Sequence, residues 1–362
     1  MVLTWIHLSK SHLSRVVRKE LDPPFEIAII FMDFDIDELI GQGAPKELPK
    51  SIVEPYEYLV LIPLNNKNVR LTFLHGFNQA FYRIPNSDLL NDIDEVISIF
   101  HNSSLLIDDI EDSSDFRRGM PTSHTKFGIP LTINSGNLMY FVSLRRANGL
   151  SKYSNAGEVE ENQLYKKISQ ILVNEMLNLH CGQGLDIYWR DRKDLDHLPS
   201  IEEYLLMIMN KTGGLFRLSV QLLECFADKM TSKTHLANLL GIIYQIRDDY
   251  LNLVDEKYSH LKGFAGEDLI EGKLSLPILH CLHHAPHDNI VRLMLLTKDK
   301  EGLKDNEGLI RECIDYIAST GSLDYTLHLL RDFHRRAREQ ILALAFDDST
   351  ILVQLVDKLC DL

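Results

Sequence analysis

Two short acidic stretches, each closing an apolar run, constrain this chain more than any other feature. The first, Leu105 to Gly119, reads L-L-I-D-D-I-E-D-S-S-D-F-R-R-G. On a helix Asp108 and Asp112 stack one turn apart, with Asp109 beside them. Like charges at that spacing destabilise a bare helix, and a divalent cation reverses the sign. Mg²⁺ suits such a place. It takes one or two carboxylates, keeps several waters and completes its shell with substrate phosphates. A solvated acidic helix end is the bland alternative for this stretch alone. The second stretch, Gly241 to Leu253, reads G-I-I-Y-Q-I-R-D-D-Y-L-N-L. Asp248 and Asp249 repeat the paired acids, and Asn252 takes the third position. Metal sites in helical bundles are built from inward side chains on facing helices. Two matching clusters are hard to explain as surface decoration.

The rest of the chain supplies such a bundle. From Ser51 onward the periodicity is helical nearly throughout. Helices are expected over Glu54–Ile62 and Val69–Tyr82. A long one, capped by Asn86 or Ser87, runs to the first acids. Pro121–Pro130 reads as a loop, and helices follow over Pro130–Asn148 and Glu158–Asp186. Ser200 caps another, with Glu203 at the capping-box position. Lys233–Val254 carries the second acids. Asp255–Lys273 reads as a polar loop, with shorter helices after it. No β-alternation exceeds four or five residues. The expected fold is all-α: one large helical bundle around a central cavity, spanning residues 45–362. Residues 1–44 read as an N-terminal extension, disordered or spurious. It resembles a transit peptide only weakly, and Met32 offers an alternative start.

At 362 residues and 45% apolar content, a sizeable core can be buried. A formal charge of -14 argues against nucleic acid as a partner. An anionic substrate therefore needs a local basic patch and metal ions. Five cysteines without a C-x-x-C pair point to reduced thiols in the cytoplasm. No apolar run reaches the length of a membrane span. The sequons at Asn102 and Asn210 are read as irrelevant.

Cations cluster near the acids in sequence: Lys67 and Arg70, then Arg117 and Arg118, then Lys211 with Thr212, then Lys262 and Lys273. Any one alone would be a solvated surface charge. Together they suggest phosphate binding, with Arg as a bidentate fork and Lys as a point charge. Lys211-Thr212-Gly213-Gly214 is not a P-loop, since the order of its elements is reversed. His280, His283, His284 and His287 read as an exposed helix end, because no acid or cysteine completes a metal site.

These motifs resemble those of the trans-isoprenyl diphosphate synthases, and most closely the fungal and animal geranylgeranyl diphosphate synthases. The likeness runs from about Ile52 to the C-terminus. It rests on His101–Asp112, Arg117–Gly119, Gly182–Asp191, Asn210–Phe216, Gly241–Asn252 and Glu271–Lys273. It implies that Asp108, Asp109, Asp112, Asp248 and Asp249 hold Mg²⁺ on an allylic diphosphate. It assigns Arg117, Lys211, Thr212, Gln245, Lys262 and Lys273 to that diphosphate, and Lys67, Arg70, His101 and Arg118 to isopentenyl diphosphate. It also implies at least a homodimer. Two departures stand out. Asn66 occupies a position where the family has glycine, and the loop after Lys262 holds one extra residue near Gly266.

The implied chemistry is ionisation, condensation and elimination in a water-excluded cavity. The growing chain should run from the acids back along their helices. Ser103 and Ser104, one turn before Asp108, are too small to stop it at farnesyl length. Tyr140, Phe141 and His180 are the candidate floor. The resemblance places Tyr140 and His180 there. Rival readings are a farnesyl or longer-chain synthase, a terpene cyclase and a silent partner subunit. Cyclases usually carry an N-S-E-type second motif where this chain has D-D-Y-L-N.

Overall fold

The computed structural model describes residues 47–62, 67–154, 157–227, 232–255, 266–297, 302–303, 306–345 and 348–361. The chain divides into two units, Met1–Leu48 and Pro49–Leu362, and the second holds the helical bundle. The extension expected over 1–44, with Met32, lies outside the described residues, as do Asn66 and Lys262.

Helices α1 (Lys50–Leu61) and α2 (Lys67–Phe77) and a π-helical turn (Asn78–Tyr82) lead into α3 (Ser87–Glu111). A two-residue hairpin, β1 (Phe116–Arg117) against β2 (Met120–Pro121), and the short α4 (Ser123–Phe127) follow. Then come α5 (Ile129–Asn148), α6 (Glu158–Arg192), α7 (Ile201–Lys211), α8 (Gly213–Glu224) and α9 (Thr234–Val254). The C-terminal part holds α10 (Glu267–Glu271), α11 (Leu276–His284), α12 (Ile290–Leu296), α13 (Glu307–Ser319), α14 (Ser322–Leu344) and α15 (Thr350–Cys360). The fold is all-α, as the periodicity requires.

Local chemistry explains the main boundaries. Asn86 caps α3 by accepting from the Asp88 and Leu89 amides, both at 3.1 Å. Leu89, Ile93, Val96, Ile97 and Phe100 form its buried stripe. The capping box expected at Ser200 and Glu203 is present in both directions, worth about 1 kcal/mol. Glu158, Glu160 and Glu161 complement the N-terminal dipole of α6.

Four expectations need correction. The stretch read as the loop Pro121–Pro130 contains α4. Helix α6 runs on to Arg192, because Gly182 does not break it but admits the backbone of α7. A Cβ there would lie 2.4 Å from the Lys211 amide nitrogen. The stretch read as polar loop up to Lys273 contains α10, and α14 is not short at 23 residues.

Helix α9 lies at the centre. Its residues Leu236, Ala237, Leu240, Ile243 and Ile246 belong to a core shared with α3, α7, α8, α14 and α15. A second apolar cluster gathers Leu253 with α10 to α13. Helices α3 and α5 approach closely: a Cβ on Gly136 would meet Ile107 Cδ1 at 2.8 Å. Ser143 Oγ donates across the same contact to the Val96 carbonyl.

Candidate active site

The helices α2, α3, α5, α6, α7, α8 and α9 and the α10–α11 connection surround a cavity of about 530 Å³. It brings together most of the residues singled out in the sequence. Arg70, His101, Asp108, Asp109, Asp112, Arg117, Arg118, Tyr140, His180, Lys211, Thr212, Gln245, Asp248, Asp249 and Lys273 all line it. Phe141 does not: it is 71% exposed. Neighbours on a helix point about 100° apart, so Tyr140 and Phe141 cannot both face inward. Ser104 lines the cavity, but Ser103 is buried and donates to the Ile99 carbonyl. The backbone of Lys67 begins α2, but its side chain, like all of Lys262, lies outside what the structure describes.

At one end the acids are held by cations. The Arg117 side chain folds back from β1 onto Asp109, with Nη2 2.6 Å from Oδ1, and reaches Asp108 at 3.3 Å. Asp109 is 1% exposed, and its Oδ2 has no partner. Burial pushes its carboxyl up to about 6, although Arg117 opposes the shift. Asp112 faces Arg190 at 2.8 Å and Lys273 at 2.6 Å. Burial alone would raise its pKa, but Lys273, Lys211 and Arg190 hold it well below the usual carboxylate range. Lys211 bonds Asp186 at 2.6 Å and lies 3.8 Å from Asp108. Lys273 also bonds Glu271, whose carboxyl burial pushes up to about 8.

The second acid pair is built differently. Asp248 lines the cavity. Asp249 is 4% exposed and turns into the frame. Its Oδ2 accepts from the Tyr204 hydroxyl and from the Leu276 amide at 2.8 Å. Its Oδ1 accepts from Gln245 at 2.8 Å, and Gln245 accepts in turn from Thr212 at 2.6 Å. Burial and the nearby Asp268 push Asp249 up to about 7. Asn252 does not face the cavity. Its Oδ1 accepts from the Asp268 amide and so anchors the return of the chain after α9.

A second group of cations sits beside His101. Arg70 has two buried nitrogens, Nε and Nη2, without a partner, and burial lowers its pKa. Burial, together with Arg70, Arg117 and Arg118, keeps the His101 imidazole neutral. Between these groups and Tyr140 the lining includes apolar side chains, among them Phe73, Ile97, Phe100, Leu179, Leu215 and Phe216. Phe100 lies eight residues before Asp108, about 12 Å along α3. Its ring meets Tyr140 at 5.7 Å, and Tyr140 meets His180 at 5.8 Å. Such edge contacts contribute about 0.5–1.5 kcal/mol each.

Several residues here were given no role from the sequence: Gln183 and Asp186 on α6, Tyr204 on α7 and Glu271 line the cavity, and Arg190 of α6 stands behind Asp112 outside the lining. Gln183 donates to Asp108 and Glu111. Gln183, Asp186 and Arg190 recur at i, i+3 and i+7, a polar helix face visible in the sequence. Tyr204 carries no such signal.

The polyprenyl synthetase family model matches residues 49–317. The chain belongs to the polyprenyl synthetase family. It is accordingly a prenyltransferase. A geranylgeranyl pyrophosphate synthase of Macrophomina phaseolina is 41% identical over 286 residues, 79% of this chain and 80% of that protein. One from Aspergillus fumigatus is 42% identical over 290 residues, covering 80% of this chain and 74% of that protein. A protein named terpene synthase from Matsumurasca onukii is 36% identical over 309 residues, 85% of this chain and 93% of that protein. Among the described residues, no helix is long and apolar enough to cross a membrane.

Proposed function

We propose that the protein is a Mg²⁺-dependent geranylgeranyl diphosphate synthase. It would condense isopentenyl diphosphate head to tail with dimethylallyl, geranyl or farnesyl diphosphate. The observation that carries this reading is the division of one cavity into three parts. Acids with Lys211, Lys273 and Arg117 suit one diphosphate, Arg70 with Arg118 suits a second, and an apolar channel to Tyr140 suits the chain.

The acids fit Mg²⁺. Among the described residues no three acid, His or Cys groups form a metal cage by themselves. The partnerless Oδ2 of Asp109 asks for a cation. Asp108, Asp109, Asp112 and Asp248 would hold the ions. Asp249 is the exception among the five, since three neutral donors already use both its oxygens. Bound Mg²⁺ would neutralise charge building on the departing diphosphate.

The protein's own groups do the rest. Arg117, Lys211 and Lys273 exchange their carboxylate partners for phosphate oxygens, with Thr212 and Gln245 beside them. Arg70, Arg118 and the neutral His101, with Lys67, orient isopentenyl diphosphate. Phe100, Ile97, Leu179 and Phe216 keep water from the allylic cation. The double bond of isopentenyl diphosphate attacks that cation. A proton then leaves to the released diphosphate, so no protein base is assigned. Tyr140 and His180 form the floor.

The catalytic domain is taken as residues 45–362, with Lys262 retained at the allylic diphosphate from the sequence. A homodimer is supported by an exposed apolar face. Ile129, Ile133 and Phe141 on α5, and Val173, Leu177, Leu185 and Tyr188 on α6, are all exposed. A second copy of this chain is the occupant that fits. A cytoplasmic location fits five cysteines that form no disulfide.

The test is incubation with Mg²⁺, radiolabelled isopentenyl diphosphate and each allylic primer. A twenty-carbon product from all three is expected. Arrest at fifteen carbons, or growth well past twenty, overturns the chain length. Conversion of a primer to a hydrocarbon without uptake of label would favour the terpene synthase reading that the Matsumurasca onukii relative raises.

A further inference from the structure

Helices α7 and α8 are separated by Thr212 alone, and this break turns Lys211 and Thr212 toward the cavity. Backbone packs against it on both sides. Gly182 of α6 admits Lys211, and a Cβ on Gly241 of α9 would lie 2.5 Å from the Gly213 Cα. Ending a helix leaves its last carbonyls without partners. One of these is satisfied from outside the cavity. Arg217 Nη1 donates to the Met209 carbonyl at 2.7 Å and to Asn238 Oδ1 of α9 at 2.9 Å. The other arm, Nε and Nη2, grips the Glu175 carboxylate of α6 at 2.8–3.1 Å. Gln221 and Asn178 complete the shell of Glu175. Arg217 is 7% and Glu175 2% exposed, and neither lines the cavity.

We infer that Glu175 and Arg217 are positioning residues that fix the helix break and so aim Lys211 and Thr212 at the allylic diphosphate. One guanidinium ties together four helices at the break: α6 through Glu175, α7 through Met209, its own α8, and α9 through Asn238. A planar fork with fixed donor directions can do this, and a lysine cannot. Stability alone does not demand such a pair, since apolar groups of similar volume often replace a buried ion pair without loss. The inference rests on the assignment of Lys211 to the diphosphate.

The test uses the full chain and three variants. The double variant Glu175→Leu/Arg217→Met keeps apolar bulk and removes the pair. Arg217→Lys keeps the charge and loses the fork. Lys211→Ala removes the aimed group itself. Melting temperature, inorganic pyrophosphate affinity with Mg²⁺, and KM for each substrate are measured. The double variant should melt within a few degrees of the parent. It should bind pyrophosphate at least tenfold more weakly and raise KM for the allylic substrate selectively. Arg217→Lys should show the same selectivity at several-fold. A stable double variant with parental pyrophosphate affinity overturns the inference, and so does an equal rise in both KM values. Should the double variant not fold, Arg217→Lys decides by the same criteria. If Lys211→Ala itself leaves pyrophosphate affinity unchanged, the assignment of Lys211 fails instead.

Discussion

The two acid clusters share the spacing D-D-x-x-(D/N), yet they are used in different ways. On α3 the middle acid, Asp109, is met by a cation, Arg117. On α9 the matching Asp249 is met by three uncharged donors. The third positions diverge as well. Asp112 is held by Arg190 and Lys273, whereas the Asn252 side chain accepts the Asp268 amide. The first cluster is a set of ion pairs, which under the proposed function would trade carboxylate for phosphate. In the second, Asp248 and Asp249 both line the cavity, but Asp249 is bonded to the frame and Asn252 is turned away. A motif therefore states which residue types meet, and the surroundings decide what each one does.

The comparison can be broken first at its common point. Asp108→Ala and Asp248→Ala should each lower turnover by about a thousandfold or more, with folding intact by circular dichroism. Near-parental turnover of either in Mg²⁺ would remove the shared role. The next contrast is in stability. Asp109→Asn strips Arg117 of its closest counter-charge and should cost about 3 kcal/mol in urea unfolding. Asp249→Asn, among neutral donors, should cost about 1–2 kcal/mol. The reverse order would show that the charged and neutral settings had been misjudged. Arg70→Met should then raise KM for isopentenyl diphosphate about tenfold and leave the allylic KM alone, because its buried Nε and Nη2 bond neither acid cluster. Tyr140→Ala should lengthen the product at modest cost to the first condensation. Phe141→Ala should leave product length unchanged, since that ring points outward. The smallest effect belongs to Asn252→Ala, which loses one amide bond and about 1 kcal/mol.

Much of this was legible in the sequence for physical reasons. The all-α fold follows from apolar periodicity, and the cap at Asn86 and the box at Ser200 from local hydrogen bonding. The acid pairs announce themselves because carboxylates at i and i+4 need a reason to be there. The partners do not. Arg117 reaches Asp109 only because β1 doubles back, and Tyr204 meets Asp249 across 45 positions of sequence. Gln183, Asp186 and Arg190 could have been found from their shared helix face. The same test of helix faces excludes Phe141 from the floor once Tyr140 is placed there, since one residue is a quarter turn and more from the next.

The close contact at Gly241 also works as a ruler. Gly241 presses on the start of α8, and Asp248 follows seven residues later, two turns on and on nearly the same face. The contact fixes where α9 sits along its axis, so it also fixes the height and direction of Asp248, about 10.5 Å away. One residue inserted or deleted between them would swing the acid by about 100° and shift it by about 1.5 Å. Substitutions in this span can be absorbed one side chain at a time, but a change of length cannot. Relatives that keep the chemistry should therefore differ freely in the letters between Gly241 and Asp248 and not at all in their number.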